Sequence, residues 1–160
     1  IYRTFVTVNK KQVILQGKSF LAPHDSVVIF QSHEISSTTT SAPFFLERFN
    51  AMRANEGTYY IVVVEHLKLR KLVACGSLIV EQKFIHDTAV RGRIEDIVVD
   101  DSVRGQKIGK LIVETLVLLS EKLGCYKTSL ECRDPLLSYY TKFGFVAEQQ
   151  QNHLVKRFFH

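Results

Sequence analysis

The junction between residues 94 and 124 constrains the fold of this chain more than any other part of the sequence. It reads IEDIVVDDSVRGQKIGKLIVETLVLLSEKLG, a near-continuous apolar strand followed by a turn and a long helical segment. Apolar residues repeat along one face of that helix while lysines and glutamates follow the other, and Gly124 supplies a C-terminal stop. A strand that runs directly into such a helix predicts a mixed α/β domain.

The turn from Arg104 to Lys110 has the composition of an anion site. Backbone N–H groups at the start of the following helix carry a partial positive charge. Gly105 and Gly109 remove side chains where a diphosphate would approach the backbone, and Lys107 adds positive charge. The Gly-Lys-Ser/Thr of a P-loop and the G-x-G-x-x-G of a dinucleotide fingerprint are absent. An ordinary strand-to-helix turn, in which the glycines only ease the bend, is the alternative.

The rest of the chain alternates strand and helix signals, which predicts a single domain over residues 1–160 with a central mixed twisted sheet flanked by helices. In residues 44–54, Phe45, Phe49 and Met52 share one helical face. A second helix is expected over residues 135–143, with Asp134 as its N-cap and Pro135 at its first position. Strands are expected at residues 5–8, 13–15, 26–30, 58–65, 72–82, 93–99, 125–132 and 153–159.

Charge and composition favour a small anionic ligand. The chain has 21 Lys and Arg against 16 Asp and Glu, a net charge of +5. These cations are scattered and no aromatic-basic motif is present, so we expect a phosphorylated small molecule rather than nucleic acid. No apolar run reaches the roughly 18 residues of a membrane span and no secretory leader is visible, so we expect a cytoplasmic protein.

The cysteines and histidines indicate neither a disulfide framework nor a metal site. Cys75, Cys125 and Cys132 fit no zinc or CxxC spacing, which predicts free thiols. Histidines 24, 33, 66 and 160 have no metal-ligand spacing, so no metal is expected. A nucleophilic role for Cys132 is disfavoured because no activating His or Asp stands at a recognisable spacing from it.

Two motifs resemble the GNAT superfamily of N-acetyltransferases. VVDDSVRGQKIGKLIVETL resembles its acetyl-CoA loop, in which Arg104 and Gly109 match the first and last positions and Lys107 replaces the usual middle glycine. YYTKFGF resembles its second signature, with Tyr140 at the tyrosine position. Together with EQKFIH and KLGCYKTSLEC, these motifs make residues 44–158 resemble the glucosamine-6-phosphate N-acetyltransferase family, which tolerates a non-glycine at that middle position. Residues 1–43 do not show the family's first strand and helix and form a divergent part.

The resemblance implies a GNAT acyl-CoA N-acyltransferase fold with acetyl-CoA as co-substrate and no metal. The acetyl group would pass directly to the amine of glucosamine 6-phosphate in a ternary complex, a step toward UDP-N-acetylglucosamine. The pantetheine arm would add to an open strand edge. The implied coenzyme contacts are Ile97, Val98, Val99, Arg104, Gly105, Gln106, Lys107, Ile108, Gly109, Lys110, Tyr140, Thr141 and Lys142.

The resemblance also implies catalytic residues. Tyr140 would protonate the departing thiolate, and its spacing to KFGF favours it over Tyr139. Glu95 and Asp96 would contact the sugar and help to position the amine. An N–H group, that of Ile97, would stabilise the oxyanion.

The acceptor site implied by the resemblance is rich in cations that suit a phosphate, although for each cation taken alone a solvated surface charge is the better interpretation. Its residues are Lys83, Phe84, Ile85, His86, Arg91, Glu95, Asp96, Ile97, Tyr126, Lys127 and Arg157. The family implies a homodimer. Two alternatives stay open: an acetyltransferase for a protein or another small amine, and a catalytically impaired acetyl-CoA-binding homologue.

Overall fold

One mixed sheet organises the computed structural model, which describes residues 2–8, 11–13 and 42–158. Its six strands lie in the order β2-β1-β3-β4-β5-β6. Neighbouring strands are antiparallel except β5 and β6, which are parallel, so the sheet is mixed as predicted. The strands are β1 (Tyr2–Val8), β2 (Lys11–Val13), β3 (Tyr59–His66), β4 (Lys71–Gln82), β5 (Val90–Val99) and β6 (Cys125–Leu130).

The helices of the described chain are α1 (Ala42–Ala54), the single turn α2 (Ile85–Thr88), α3 (Ile108–Lys122) and α4 (Leu137–Tyr140). Phe45, Phe49 and Met52 are partly buried positions of α1, as their spacing predicts. In the described ranges, no helix is long and apolar enough to cross a membrane.

The segment around α4 is less regular than the helix predicted over residues 135–143. Short 3₁₀ turns at Asp134–Leu136 and Thr141–Phe143 precede and follow α4. Arg133, not Asp134, occupies the N-cap position of this segment, and no side chain caps it. The prediction of Asp134 as the cap is therefore wrong, since the helical geometry already begins at that residue.

Helix α3 packs on one face of the sheet and forms the core with it. Ile112 and Leu116 of α3 and Leu78 of β4 are fully buried. Gly76 lets the helix approach β4 closely, because a Cβ there would lie 2.8 Å from Ile112 and 2.9 Å from Leu116. Burying one such aliphatic side chain contributes about 1.5–3 kcal/mol, so this contact is a major source of stability.

The two faces of β5 differ in character. Gly92 faces α3, since a Cβ on it would lie 2.3 Å from the Ser120 hydroxyl oxygen. Successive strand residues point to opposite faces, so Arg91, Arg93 and Glu95 project from the face away from α3. The sheet therefore carries an apolar face under the helix and a charged face opposite it.

The strand predicted at the C-terminal end is not present. Residues 151–158 have no regular secondary structure, and Leu154 and Phe158 are 89% and 71% exposed. Apolar residues in a segment do not by themselves provide the neighbouring strand that a β-ladder requires, so the prediction of a strand here is wrong.

The remaining strand predictions can be compared at their ends. Residues 5–8 lie within β1 as predicted, while β5 begins at Val90, three residues before the predicted start at Arg93. Glu95 and Asp96 are therefore internal to the strand rather than at its start. Of the predicted strand at residues 13–15 only Val13 is described, and the one at 26–30 lies outside the described residues.

Candidate active site

The sheet opens where β5 and β6 separate. The two strands pair in parallel from Val90 and Cys125 to Ile94 and Leu130, while β5 continues to Val99. Within the described chain, residues 95–99 therefore have no β6 partner along that edge. An unpaired edge of this kind offers backbone N–H and C=O groups to an extended ligand.

A bulge in β5 coincides with this opening. On the β4 side, Ser77 pairs with Glu95 but Cys75 pairs with Val98, so β5 holds one extra residue here. Asp96 takes a φ of 53° within the bulge. A bulge bends the strand and increases its twist, and it turns Asp96 to an exposed position.

Burial keeps the nearby thiol of Cys75 protonated. Burial, helped by the charge of Asp96, raises its pKa to about 11. Cys75, Cys125 and Cys132 are all free, as predicted. A neutral buried thiol is a poor nucleophile, so the structure gives Cys75 a packing role.

A cleft of about 700 Å³ begins at Val99, the last residue of β5. The turn before α3 and the first turns of that helix form one wall, and the α4 segment forms the other. Cationic side chains stand on both walls, which suits a long phosphate-bearing ligand. The lining residues are Val99, Val103, Arg104, Gly105, Lys107, Ile108, Gly109, Lys110, Glu114, Leu136, Tyr139, Lys142 and Phe143.

Asp100 fixes the chain between β5 and this turn. Its carboxylate accepts hydrogen bonds from the Ser102 N–H at 2.9 Å and from Lys71 Nζ at 2.5 Å. The Lys71 bond, followed by those from Ser102, holds the pKa of Asp100 well below its ordinary value. The Asp101–Val103 turn therefore starts from a capped and ionised anchor.

The turn then reverses direction through two left-handed residues. Gly105 has a φ of 78° and Lys107 a φ of 62°, the latter in a conformation that costs a residue with a Cβ. Leu111 donates its N–H to the Lys107 carbonyl at 3.1 Å, which closes the first turn of α3. The N–H groups at the start of a helix lack intrahelical acceptors, and this start lines the cleft.

The first strand contributes to the same turn. The Tyr2 hydroxyl donates a hydrogen bond to Gln106 Oε1. The Tyr2 ring also packs edge-on against His66, with 4.9 Å between ring centroids. Sequence reasoning did not identify Tyr2, because its partner lies 104 positions away along the chain.

Two adjacent tyrosines of α4 have different surroundings. Tyr139 lines the cleft, and its hydroxyl lies 3.1 Å from the position that a Cβ on Gly109 would take. Tyr140 packs edge-on against Phe145 at 6.1 Å between ring centroids and does not line this cleft. Burial raises the pKa of both phenols, so both are neutral proton donors at neutral pH. Tyr139, the rival that the spacing to KFGF disfavoured, is therefore the tyrosine that lines this cleft.

Thr141 and Lys142, which follow α4, also differ in their surroundings. Lys142 lines the cleft, whereas Thr141 donates its hydroxyl to the Ser138 carbonyl at 3.2 Å. Gln106, occupied with Tyr2, is likewise outside the cleft lining.

A charged network stands at the mouth of the opening. Arg93 Nε lies 2.5 Å from Glu95 Oε1, and Arg93 Nη2 lies 2.9 Å from Glu131 Oε1. His153 Nδ1 lies 3.1 Å from the same Glu131 oxygen. The network therefore joins β5, the end of β6 and the C-terminal segment. Neither Arg93 nor Glu131 was predicted from the sequence as a site residue.

The predicted acceptor cations lie beyond this network. Lys127 stands 3.6 Å from Glu148, and in the strand register it is paired with Arg91. Arg91 Nη2 donates to Ser129 Oγ at 2.8 Å, while its buried Nε has no partner in the described part of the chain. Lys83 pairs with Glu81, and this hydrogen bond lowers the pKa of the glutamate.

The predicted acceptor segment at α2 is strained and exposed. His86, Asp87 and Thr88 all have left-handed φ angles, of 54°, 56° and 60°. The His86 ring lies 4.8 Å from that of Tyr126, which links the turn to β6. Phe84 is fully exposed and Ile85 is 63% exposed. Arg157 lies in the exposed segment 151–158, remote from α2 in sequence.

Among the described residues, no group of three His, Cys, Asp or Glu side chains could hold a metal ion. The polar groups of the site are instead backbone N–H groups, cations, carboxylates and phenols. This set can bind anions and donate or accept protons.

Comparison of the sequence with known proteins identifies a family and several relatives of this chain. Residues 28–145 match the family described as Acetyltransferase (GNAT) family. The chain is 50% identical over 103 residues to the "Probable glucosamine 6-phosphate N-acetyltransferase" of Drosophila melanogaster, covering 64% of this chain and 47% of that protein. It is 43% identical over 101 residues to "Glucosamine 6-phosphate N-acetyltransferase 1" of Dictyostelium discoideum, covering 63% and 64%. The chain thus spans about half to two thirds of these relatives.

Solved structures share the fold. Glucosamine-6-phosphate N-acetyltransferase from Arabidopsis thaliana superposes with a TM-score of 0.70 at 31% identity, covering 78% of this chain and 83% of that one. A Trypanosoma brucei acetyltransferase gives a TM-score of 0.67 at 30% identity, covering 76% and 85%.

Proposed function

The chain belongs to the acetyltransferase (GNAT) family, and from that premise we propose that it transfers the acetyl group of acetyl-CoA to the amine of glucosamine 6-phosphate. The opening between β5 and β6 carries the proposal. It joins a cationic cleft that suits the coenzyme to a charged mouth that suits an aminosugar phosphate. The relatives named for glucosamine 6-phosphate supply the identity of the acceptor.

The coenzyme fits the cleft in size and charge. A volume of about 700 Å³ lies in the usual range for ligand pockets. The N–H groups before and within the first turn of α3, with Arg104, Lys107 and Lys110, would hold the diphosphate. The pantetheine arm would extend along the free edge of residues 97–99 as an added strand.

The proposed reaction takes its residue roles from the resemblance, because Tyr140, unlike Tyr139, does not line the cleft. A neutral amine attacks the thioester carbonyl, its C–N bond forms, and the C–S bond then breaks. The Ile97 N–H stabilises the oxyanion, and Tyr140 gives its proton to the departing thiolate and regains one from solvent. The nitrogen releases its extra proton to water, which balances the proton that Tyr140 regains from solvent. Glu95 and Asp96 stand at the mouth where the amine would bind. Holding both reactants together supplies much of the acceleration.

The acceptor would lie across the mouth with its two ends separated. Its amine end would face Glu95 and Asp96, and its phosphate end would face the cations Lys83, Lys127 and Arg157 with His86 nearby. We also propose that residues 1–160 form one domain that works in the cytoplasm.

The homodimer implied by the resemblance is part of this proposal. Large apolar side chains are exposed on α2 and on the C-terminal segment, Phe84 and Phe158 among them. Exposed apolar groups of this size commonly mark a contact with another protein surface. Analytical ultracentrifugation tests this point directly.

A thiol-release assay tests the function. Acetyl-CoA is offered with glucosamine 6-phosphate, with glucosamine and with a peptide amine. We expect kcat/KM for the phosphorylated sugar to exceed that for glucosamine by about tenfold to a hundredfold, because hydrogen bonds to a charged group are worth about 1.5–3 kcal/mol. Activity with the peptide alone would contradict the acceptor. Silence with all three, despite acetyl-CoA binding, would indicate an impaired homologue.

A further inference from the structure

Arg93 stands at the point where the two parallel strands begin to separate. It pairs with Ser129 in the register, one position before the last pair formed by Ile94 and Leu130. Glu95 and Glu131 are the first residues beyond that pair, one on each strand. Because strand side chains alternate, Arg93 shares a face with both carboxylates.

The guanidinium of Arg93 bridges these two strands. Its Nε contacts Glu95 at 2.5 Å and its Nη2 contacts Glu131 at 2.9 Å. Beyond this point no backbone pairing ties β5 to β6, so within the described chain this side-chain bridge is what spans the mouth. The planar fork of arginine can engage two carboxylates at fixed angles, which a lysine ammonium cannot reproduce.

We propose that Arg93 is a positioning residue, which holds the Glu95 carboxylate toward the acceptor amine by anchoring it to Glu131 across the separating strands. The inference rests on the proposed function, since Glu95 faces an amine only if an amine binds at the mouth. A coenzyme arm lying between β5 and β6 would keep the two strands apart. Without the Arg93 bridge, the Glu95 carboxylate would then not be held to Glu131.

The charge of the bridge suits this role. Arg93 carries one positive charge while Glu95 and Glu131 carry two negative ones, so these three side chains together keep one net negative charge. That charge attracts an ammonium ion to the mouth before the amine is deprotonated. Through the 3.1 Å contact of His153 with Glu131, the same bridge also holds the segment that carries Arg157.

The test compares three variants in steady-state kinetics with glucosamine 6-phosphate, together with acetyl-CoA affinity and melting temperature. Arg93→Gln removes the bridge, Arg93→Lys keeps the charge without the fork, and Lys122→Gln is the control for the loss of one positive charge. Lys122 lies at the exposed C-terminal end of α3 and does not line the cleft. Ion pairs open to solvent contribute little to stability, so all three variants should fold.

We expect Arg93→Gln to lower kcat/KM for the amine by about tenfold or more, since a misplaced catalytic group is costly even when nothing unfolds. Acetyl-CoA affinity should stay within about twofold, Arg93→Lys should recover part of the loss, and Lys122→Gln should behave like the wild type. An unchanged kcat/KM in Arg93→Gln, or an equal loss in acetyl-CoA affinity, would overturn the inference.

The wild-type protein separates this result from the proposed function. A wild type that acetylates glucosamine 6-phosphate while Arg93→Gln remains fully active sustains the function and removes Arg93. A wild type that acetylates a peptide amine instead overturns the acceptor, and the same comparison with that amine then decides the role of Arg93. A wild type silent toward every amine overturns both.

Discussion

The two sides of the β5–β6 opening are built in different ways. The cleft side comes mainly from one continuous stretch, residues 97–110, with α4 closing it. The mouth side, by which we mean the Arg93 network together with the predicted acceptor residues beyond it, comes from separate segments. These segments are α2, β5, β6 and residues 148–157. The cleft side presents backbone groups in fixed positions, whereas the mouth side presents charged side chains on partly or fully exposed positions.

This difference determines how each side should respond to mutation. Backbone groups survive most side-chain changes, so the cleft side should fail only when packing or backbone conformation is disturbed. Exposed ion pairs are worth about 0–1 kcal/mol each, so the mouth side can lose function while stability stays nearly constant. Stability and turnover should therefore respond separately on the two sides.

The largest expected effect comes from the two tyrosines of α4. Tyr140→Phe should lower kcat by about a hundredfold or more, since a positioned proton donor contributes about 10²–10⁴-fold. Tyr139→Phe should mainly weaken acetyl-CoA binding, by about tenfold or less, because its hydroxyl lies beside Gly109 in the cleft. Steady-state kinetics and coenzyme titration measure both. If the two phenotypes are exchanged, the phenol that serves the leaving group is Tyr139.

A second prediction concerns the stability of the core, which supports both the cleft side and the mouth side. Gly76→Ala should destabilise the protein by about 1–3 kcal/mol, because the new methyl group would overlap Ile112 and Leu116. Urea unfolding measures this. Ser77→Ala, at the next residue and on the opposite face, is the control and should change stability by about 0.5 kcal/mol or less. Equal effects for the two variants would show that α3 moves to make room.

A third prediction sharpens the mouth side. Lys127→Gln should raise KM for glucosamine 6-phosphate by about tenfold, because a charged hydrogen bond to the phosphate is lost. KM for unphosphorylated glucosamine should not change. Lys122→Gln, at the exposed end of α3, provides a matched loss of charge. A parallel rise of KM for both sugars would place Lys127 away from the phosphate.

The smallest effect concerns the left-handed lysine of the cleft side. Lys107→Gly relieves a φ of 62°, and part of the 1–2 kcal/mol typical of that strain is offset by the roughly 0.5–1 kcal/mol entropy cost of glycine. We expect a small gain in stability together with weaker acetyl-CoA binding, measured by urea unfolding and coenzyme titration. A loss of stability would show that the Lys107 side chain makes favourable contacts that outweigh its strain.

Sequence reasoning reached the cleft side because its signals are local. A strand, a glycine-containing turn and an amphipathic helix follow one another without interruption, so the local pattern predicted α3 and the turn that precedes it. The structure places Arg104, Lys107 and Lys110 in the cleft lining. The roles of these residues remain predictions.

The mouth side was less accessible because its contacts join distant residues. Arg93 and Glu131 are 38 positions apart, and the motif KLGCYKTSLEC, which contains Glu131, does not indicate that the two residues meet. The bulge at Asp96 depends on how β4 and β5 align, which periodicity does not report. The C-terminal segment was predicted as a strand from its apolar residues. Those residues do not show whether a neighbouring strand is available to pair with it.

The hydrogen bond from Tyr2 to Gln106 has a consequence for how such a chain changes over generations. The two positions lie 104 residues apart, yet a substitution at either one removes the other's partner. We expect them to vary together among related proteins, with a tyrosine in the first strand accompanied by an amide or carboxylate in the turn. Divergence near the beginning of the chain can thus alter the stiffness of the turn from Arg104 to Lys110 while every residue of that turn stays the same.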